Sequence, residues 1–439
     1  MINKIFKQIW NQRRSNVWIF LELIIAGFFL WTVIDPVYIF TTYGLDDKGY
    51  NEEGRYIVTF GGYTSGHGLR DTTVTREQQK EAFFSMVQLV RDQPEVETYY
   101  LPYFNSFPNA AGWSGGQFFP DTLMAKEGNY VHSQLYSVIT REGSDFFQTL
   151  GIKDALTGNE ISMPKDVDVR KLCFISESLA NRLFGTAQVI GKKVYTSEVR
   201  FLEIGGVFKD FKTNDYESSY PLCIDFDDEY PSWFTYSHSS LMIVFKLKEG
   251  VDFDAFNERF KKEVAPHMNR ANLFFKGFER FEDYRKFLGE FRGIYSKLRL
   301  KFSLAAFTLL CIFFGMVGTF WIRCNARRQE LGLMRSLGAS KSQVIKQFLV
   351  EAAILLTVAY AFSLLIVFNV LVVPEAMSKP VTYGEPLYAI ISKWQTPGVQ
   401  FAMVSIATYL ALLVIALIGT LIPVKRAIEI LPADALRDE

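Results

Sequence analysis

The chain has 439 residues, of which 49% are hydrophobic, 40 are Phe and 21% are charged, with a mean hydropathy of +0.09. That average excludes both an ordinary soluble enzyme and a chain buried throughout in lipid, and fits one that alternates between the two. Lys+Arg and Asp+Glu both number 47, so no polybasic field points to nucleic acid.

From the N-terminus, residues 1–16 place Ile2, Phe6, Ile9 and Trp10 on one helical face and Lys and Arg on the other, the pattern of an amphipathic helix lying at a membrane interface. Val17 to Ile34 is an 18-residue apolar run, read as an uncleaved anchor spanning 17–35, since WTVID supplies no small-x-small cleavage pattern before Pro36. Inside it stands Glu22, an intramembrane carboxylate. It is expected either to pair with Arg13 or Arg14 near the interface or to serve in dimer contact or coupling.

Residues 36–299 are long enough for a substantial extracytoplasmic domain. Strands are expected at Tyr56–Phe60 and Val96–Leu101 around a helix from Arg76 to Gln93. The arrangement recurs with strands at Leu241–Leu247 and Leu273–Phe281 around a helix from Phe253 to Val264. Two βαβ units flanking an insertion predict one α+β lobe, about 50–104 with 237–290, interrupted by a second at about 105–236.

Several features of this domain imitate chemistry. The run Gly185 to Lys193 has five residues between its glycines where a phosphate loop has four, and ends in Lys where Ser or Thr would meet magnesium. Gly61 to Gly68 lacks dinucleotide spacing and reads as a mobile loop. His67, His132, His238 and His267 are scattered, and Ser176-Glu177-Ser178 is no nucleophile elbow. Neither catalytic residues, a cofactor nor a metal is expected. Cys173 and Cys223 fall in this domain, as a disulfide or as two buried thiols; no C-x-x-C occurs.

Three more spans follow at 300–322, 347–373 and 401–423, built on uncharged runs at 302–322, 352–373 and 401–422, the last ending at Pro423. The segment 323–346 carries Arg323, Arg327, Arg328, Arg335, Lys341 and Lys346 against one acid, Glu330. The loop 374–400 is balanced, and the tail 424–439 is basic near the membrane. Positive residues therefore place 323–346 and both termini in the cytoplasm.

Within 323–346, Leu331, Met334 and Leu337 recur at helical spacing, Gly338 is placed to end a helix, and Ser340 with Gln343 forms a capping box that starts the next. The residues themselves leave two readings open. One is a rigid link passing force from a cytoplasmic partner to the third span; the other is a basic helix on anionic lipid.

The run 328–340 (RQELGLMRSLGAS) with Phe348–Glu351, the tail motifs Pro423–Ala427 and Leu431–Arg437, and the outer-domain runs 174–185 (FISESLANRLFG), 190–192 (IGK) and 204–210 (IGGVFKD) resemble MacB/FtsX-type ABC transporter permeases. The order of one span, a large domain and three spans resembles them too. The resemblance implies a four-helix bacterial inner-membrane protein with porter-like and sabre-like α+β lobes outside. It also implies a homodimer or heterodimer with a related permease, driven by a cytoplasmic ABC ATPase that must be a separate chain. The docking helix would be carried by Arg328, Glu330, Leu331, Gly332, Met334, Arg335, Leu337, Gly338 and Ala339. A periplasmic adaptor or outer-membrane component and membrane lipid are its further partners. The work done would be efflux, lipoprotein extraction or mechanotransmission. The alternative is a regulatory membrane subunit that controls an envelope hydrolase or sensor complex without moving a substrate.

Overall fold

The computed structural model describes residues 13–63, 66–103, 106–109, 115–161, 163, 168–213, 220–231, 241–327, 333, 334, 336–372 and 396–429. They divide into two compact units, one containing Gly44–Ile294 and the other the described residues up to Tyr43 and from Tyr295 on.

In the first unit, β1 (Arg55–Gly62), α2 (Arg76–Arg91) and β2 (Val96–Pro102) form one β–α–β stretch. The other is β9 (Met242–Leu247), α6 (Phe253–Glu263) and β11 (Leu273–Arg280). The two interleave: β9 lies between β1 and β2, and β1 between β9 and β11, all antiparallel to their neighbours. Pleat alternation decides what each strand covers. Val58, Phe60, Tyr99, Leu101, Ile243 and Phe245 face the core with Phe83, Val87 and Val90 of α2 and Phe256 and Phe260 of α6. Ile57, Tyr100 and Val244 face the opposite cluster. That second cluster is closed by α4 (Phe146–Leu150) and by α7 (Phe281–Phe291) through Phe281, Tyr284 and Leu288.

The chain between β2 and β9 extends the same sheet. Its strands are β3 (Gly115–Phe118), β4 (Val131–Ile139), β5 (Leu172–Ser176), β6 (Lys193–Tyr195), β7 (Phe201–Phe208) and β8 (Leu222–Asp227), with helices α3 (Thr122–Glu127) and α5 (Glu177–Phe184). The strand order runs β10-β11-β1-β9-β2-β4-β8-β5-β7-β6, with β3 paired to β4 and β10 being Asn269–Arg270. The β4–β8 and β5–β7 pairs are parallel and β5–β8 antiparallel. Leu179, Ala180 and Leu183 of α5 bury the face holding Cys173, Ile175, Ile204 and Val207. Cys173 and Cys223 are both free thiols, fully buried in that cluster.

Among the described residues, the second unit contains four helices long and apolar enough to cross a membrane: α1 (Arg13–Tyr43), α8 (Ile294–Ala326), α9 (Lys341–Val367) and α10 (Pro397–Glu429). Two prolines lie inside these helices: α1 runs through Pro36, and α10 through Pro423, where the fourth apolar run ends. A proline removes one hydrogen bond and displaces one carbonyl, and in a long membrane helix the flanking turns and neighbouring helices absorb that loss. Leu23, Leu30, Met316, Phe320, Leu356, Tyr360, Leu412 and Ala416, from all four helices, make the interior. At Gly27 an added Cβ would fall 2.7 Å from Ser363 Oγ and 3.1 Å from the Tyr360 ring, so α1 and α9 touch there only because the side chain is missing. Trp31 Nε1 donates to Ser405 Oγ at 3.2 Å, and Tyr360 Oη donates to the Ser405 carbonyl at 2.8 Å, tying α1 and α9 to α10. Along α8, Phe302, Phe307, Leu310 and Phe314 are exposed, an apolar stripe that requires lipid or another apolar helix against it.

Candidate functional site

Between α8 and α9 the backbone turns on local chemistry. Residues 333, 334 and 336 are helical. Leu337 N–H donates to the Leu333 carbonyl at 3.0 Å and Ala339 N–H to the Met334 carbonyl at 3.1 Å. Gly338 lies between them at φ +88°. This bond from the second residue past the helix end, around a left-handed glycine, is the Schellman closure. Ser340 then caps α9: its Oγ accepts from Gln343 N–H at 3.2 Å, and Gln343 Oε1 accepts from Ser340 N–H at 2.9 Å. The expected turn at Gly338 and capping box at Ser340 and Gln343 are both present.

Met334 and Ala339 pack against Cys324, Val344, Phe348, Val424 and Ile428, so the turn rests on the ends of α8, α9 and α10. Leu333 and Leu337, four residues apart, are exposed, Leu337 at 79%. Met334 and Leu337 were expected to share one face. They part instead, with Met334 turned inward and Leu337 outward, and Leu333, absent from the expected set, joins Leu337. Arg328, Glu330, Leu331, Gly332 and Arg335 lie outside the described residues.

Sequence reasoning missed an ion pair at this junction. Arg327, the residue after α8, places Nη1 2.9 Å from Glu351 Oε2 of α9, with side chains 8% and 2% exposed. The guanidinium also lies over the Phe348 ring, 4.7 Å from its centroid. In the sequence Arg327 is one of six basic residues of 323–346. The available signal was Glu351 itself, a carboxylate abutting a 22-residue apolar run.

Glu22 of α1 accepts a hydrogen bond from Thr319 Oγ1 of α8 at 2.8 Å. A Cβ on Gly315, one turn before Thr319, would approach Glu22 Oε1 to 3.1 Å. The contact is thus between two spans; the side chains of Arg13 and Arg14 lie outside the described set.

The imitative motifs of the outer domain have structural explanations. Gly185 is the left-handed C-cap of α5, and Gly191 turns the chain at φ +80°. The run follows a helix end, whereas a phosphate loop precedes a helix start. Ser176 caps α5, and Ser178 Oγ donates to Asp210 at 2.5 Å. Burial raises the Asp210 carboxyl, against the lowering effect of the Ser178 bond. Gly61 and Gly62 belong to β1 rather than to a loop, and Gly61 leaves room for the Phe274 ring. Among the described residues no group of three His, Cys, Asp or Glu is placed to hold a metal.

A long apolar four-helix unit joined in sequence to a mixed α/β domain is the architecture of a membrane protein with a large domain beside its spans. Comparison with known proteins agrees: residues 54–263 match the MacB-like periplasmic core domain and 302–432 the FtsX-like permease C-terminal domain. The chain belongs to the MacB/FtsX-type ABC transporter permeases. It is 24% identical over 332 residues to an uncharacterized ABC transporter permease, YvrN, of Bacillus subtilis, covering 71% of each chain. Two solved structures are similar. The periplasmic region of MacB from Actinobacillus actinomycetemcomitans is 13% identical, with 55% of this chain and 94% of that one covered at a TM-score of 0.31. The extracellular domain of the noncanonic ABC-type transporter YknZ is 11% identical, with 50% and 100% covered at a TM-score of 0.29.

Proposed function

We propose that this permease relays ATP-driven motion from a separate cytoplasmic ATPase to its outer domain, and that the capped turn from Leu333 to Ser340 receives that motion. The observation that carries the reading is the turn itself. It is hydrogen-bonded at both ends, seated through Met334 and Ala339 on three helix ends, and presents Leu333 and Leu337 unpaired. Apolar residues four apart on a short exposed helix suit docking into a groove of a partner. The rigid cap into α9 passes displacement on without bending. Two copies of the permease, or one with a related chain, would cover the apolar stripe of α8, and the outer domain would act on cargo or an envelope partner.

The test is affinity purification of the full chain in mild detergent. An ATP-hydrolysing subunit should be recovered with the wild type and lost with Leu333→Asp or Leu337→Asp, while the permease itself remains folded. Recovery of no ATPase, or equal recovery with the Asp variants, sinks the reading.

A further inference from the structure

The structure assigns a positioning role to the Arg327–Glu351 pair: it locks the end of α8 and the first third of α9 into one moving piece, so that displacement of the coupling turn reaches both spans together. The inference rests on the relay proposed above and names the residues that make it stiff.

The argument begins with what the apolar contacts cannot do. Cys324, Val344, Phe348, Val424 and Ile428 hold the three helix ends by packing. Packing holds the ends together without tying one atom to another. A charge pair 8% and 2% exposed, 2.9 Å apart, behaves otherwise. Separating it gives up a charge-assisted hydrogen bond at a site where water is largely excluded. The Phe348 ring under the guanidinium adds a second directional contact from α9 itself. Arg327 N–H also donates to the Cys324 carbonyl at 3.3 Å, so the arginine backbone continues the last turn of α8. Glu351 stands ten residues beyond Lys341, the first residue of α9. The pair therefore grips α9 about 15 Å above its capped start, while Met334 and Ala339 hold the turn nearer that start. Two separated attachments fix an orientation where one would allow rotation.

Cys324 is a built-in reporter, 1% exposed at the end of α8 in the same cluster. In the full chain carrying Cys311→Ala, labelling of Cys324 by N-ethylmaleimide in mild detergent should be slow. Arg327→Met or Glu351→Leu alone breaks the buried ion pair and should speed labelling by more than about tenfold, with a lowered thermal midpoint. Arg327→Lys, which keeps the charge but loses the planar group over Phe348, should fall between. The double variant Arg327→Met/Glu351→Leu removes both charges at similar volume and should regain Cys324 protection and thermal midpoint.

What separates positioning from mere stability is ATP turnover by the complex. With the double variant the ATPase should still co-purify, but permease-dependent stimulation should drop by about five- to tenfold. Single variants that leave Cys324 protected overturn the lock. A double variant that stimulates like the wild type reduces the pair to a structural one and overturns the transmission role. If no ATPase is recovered with the wild type, the relay itself fails, and the labelling result still decides whether the pair holds the joint.

Discussion

Thr319 gives Glu22 a hydroxyl donor within the span. Glu22→Ala strands that hydroxyl in an apolar setting and should cost about 0.6–2 kcal/mol, read as a lower thermal midpoint in mild detergent. Glu22→Gln keeps an acceptor and should stay close to wild type; equal loss in both variants would discount the hydrogen bond. In the outer domain, Asp225 of β8 has Oδ1 buried with no hydrogen-bond partner among the described residues. Its carboxyl is raised from the ordinary 3.8, chiefly by burial and against a lowering bond from Ser137. A raised folded value means that the folded state holds the proton more tightly. The stability from Asp225 is thus complete below 3.8 and lost as pH climbs through the raised value. Asp225→Asn should flatten this fall and raise the outer-domain thermal midpoint at pH 7.5. A steeper fall in the variant would reverse the assigned sign. Neither Thr319 nor the depth of Asp225 was legible in the chain: the first is 297 residues from Glu22, and the second depends on which sheet face α5 covers.

The turn at Gly338 was legible because every bond that forms it spans five residues or fewer. Gly338→Val forces a β-branched side chain to φ +88° and should cost about 1–2 kcal/mol. Ser340→Ala, which loses the cap on α9, should cost about 1 kcal/mol. Thermal unfolding of the full chain reads both, and a neutral Gly338→Val would mean that the turn relaxes to another conformation. Helix ends set by tertiary support were less legible. Pro36 and Pro423 carry strong local stop signals, yet α1 and α10 pass through them, since the whole apolar length must stay helical to satisfy its backbone in lipid. The same limit applies to faces: spacing put Met334 with Leu337, and only the position of Phe348 and Val424 turned Met334 inward.

At the scale of the molecule, charge asymmetry predicts orientation, with 323–346 in the cytoplasm and the outer domain across the membrane. A cysteine at Lys341 should react with an impermeant maleimide only after lysis, and one at Leu156 in intact cells with a permeabilised outer envelope; the reverse pattern would invert the topology. Spans, their number and the split between membrane unit and outer domain were written in the sequence, because a continuous apolar run of about twenty residues has no other stable place to go. The capped turn at Gly338 was equally local. The tertiary structure alone decided how the two β–α–β stretches interleave in one sheet and that Cys173 and Cys223 remain thiols. It alone joined Glu22 to Thr319 and Arg327 to Glu351. Those outcomes depend on contacts between residues far apart in the chain, and hydrophobic periodicity says which face is buried without saying what lies against it.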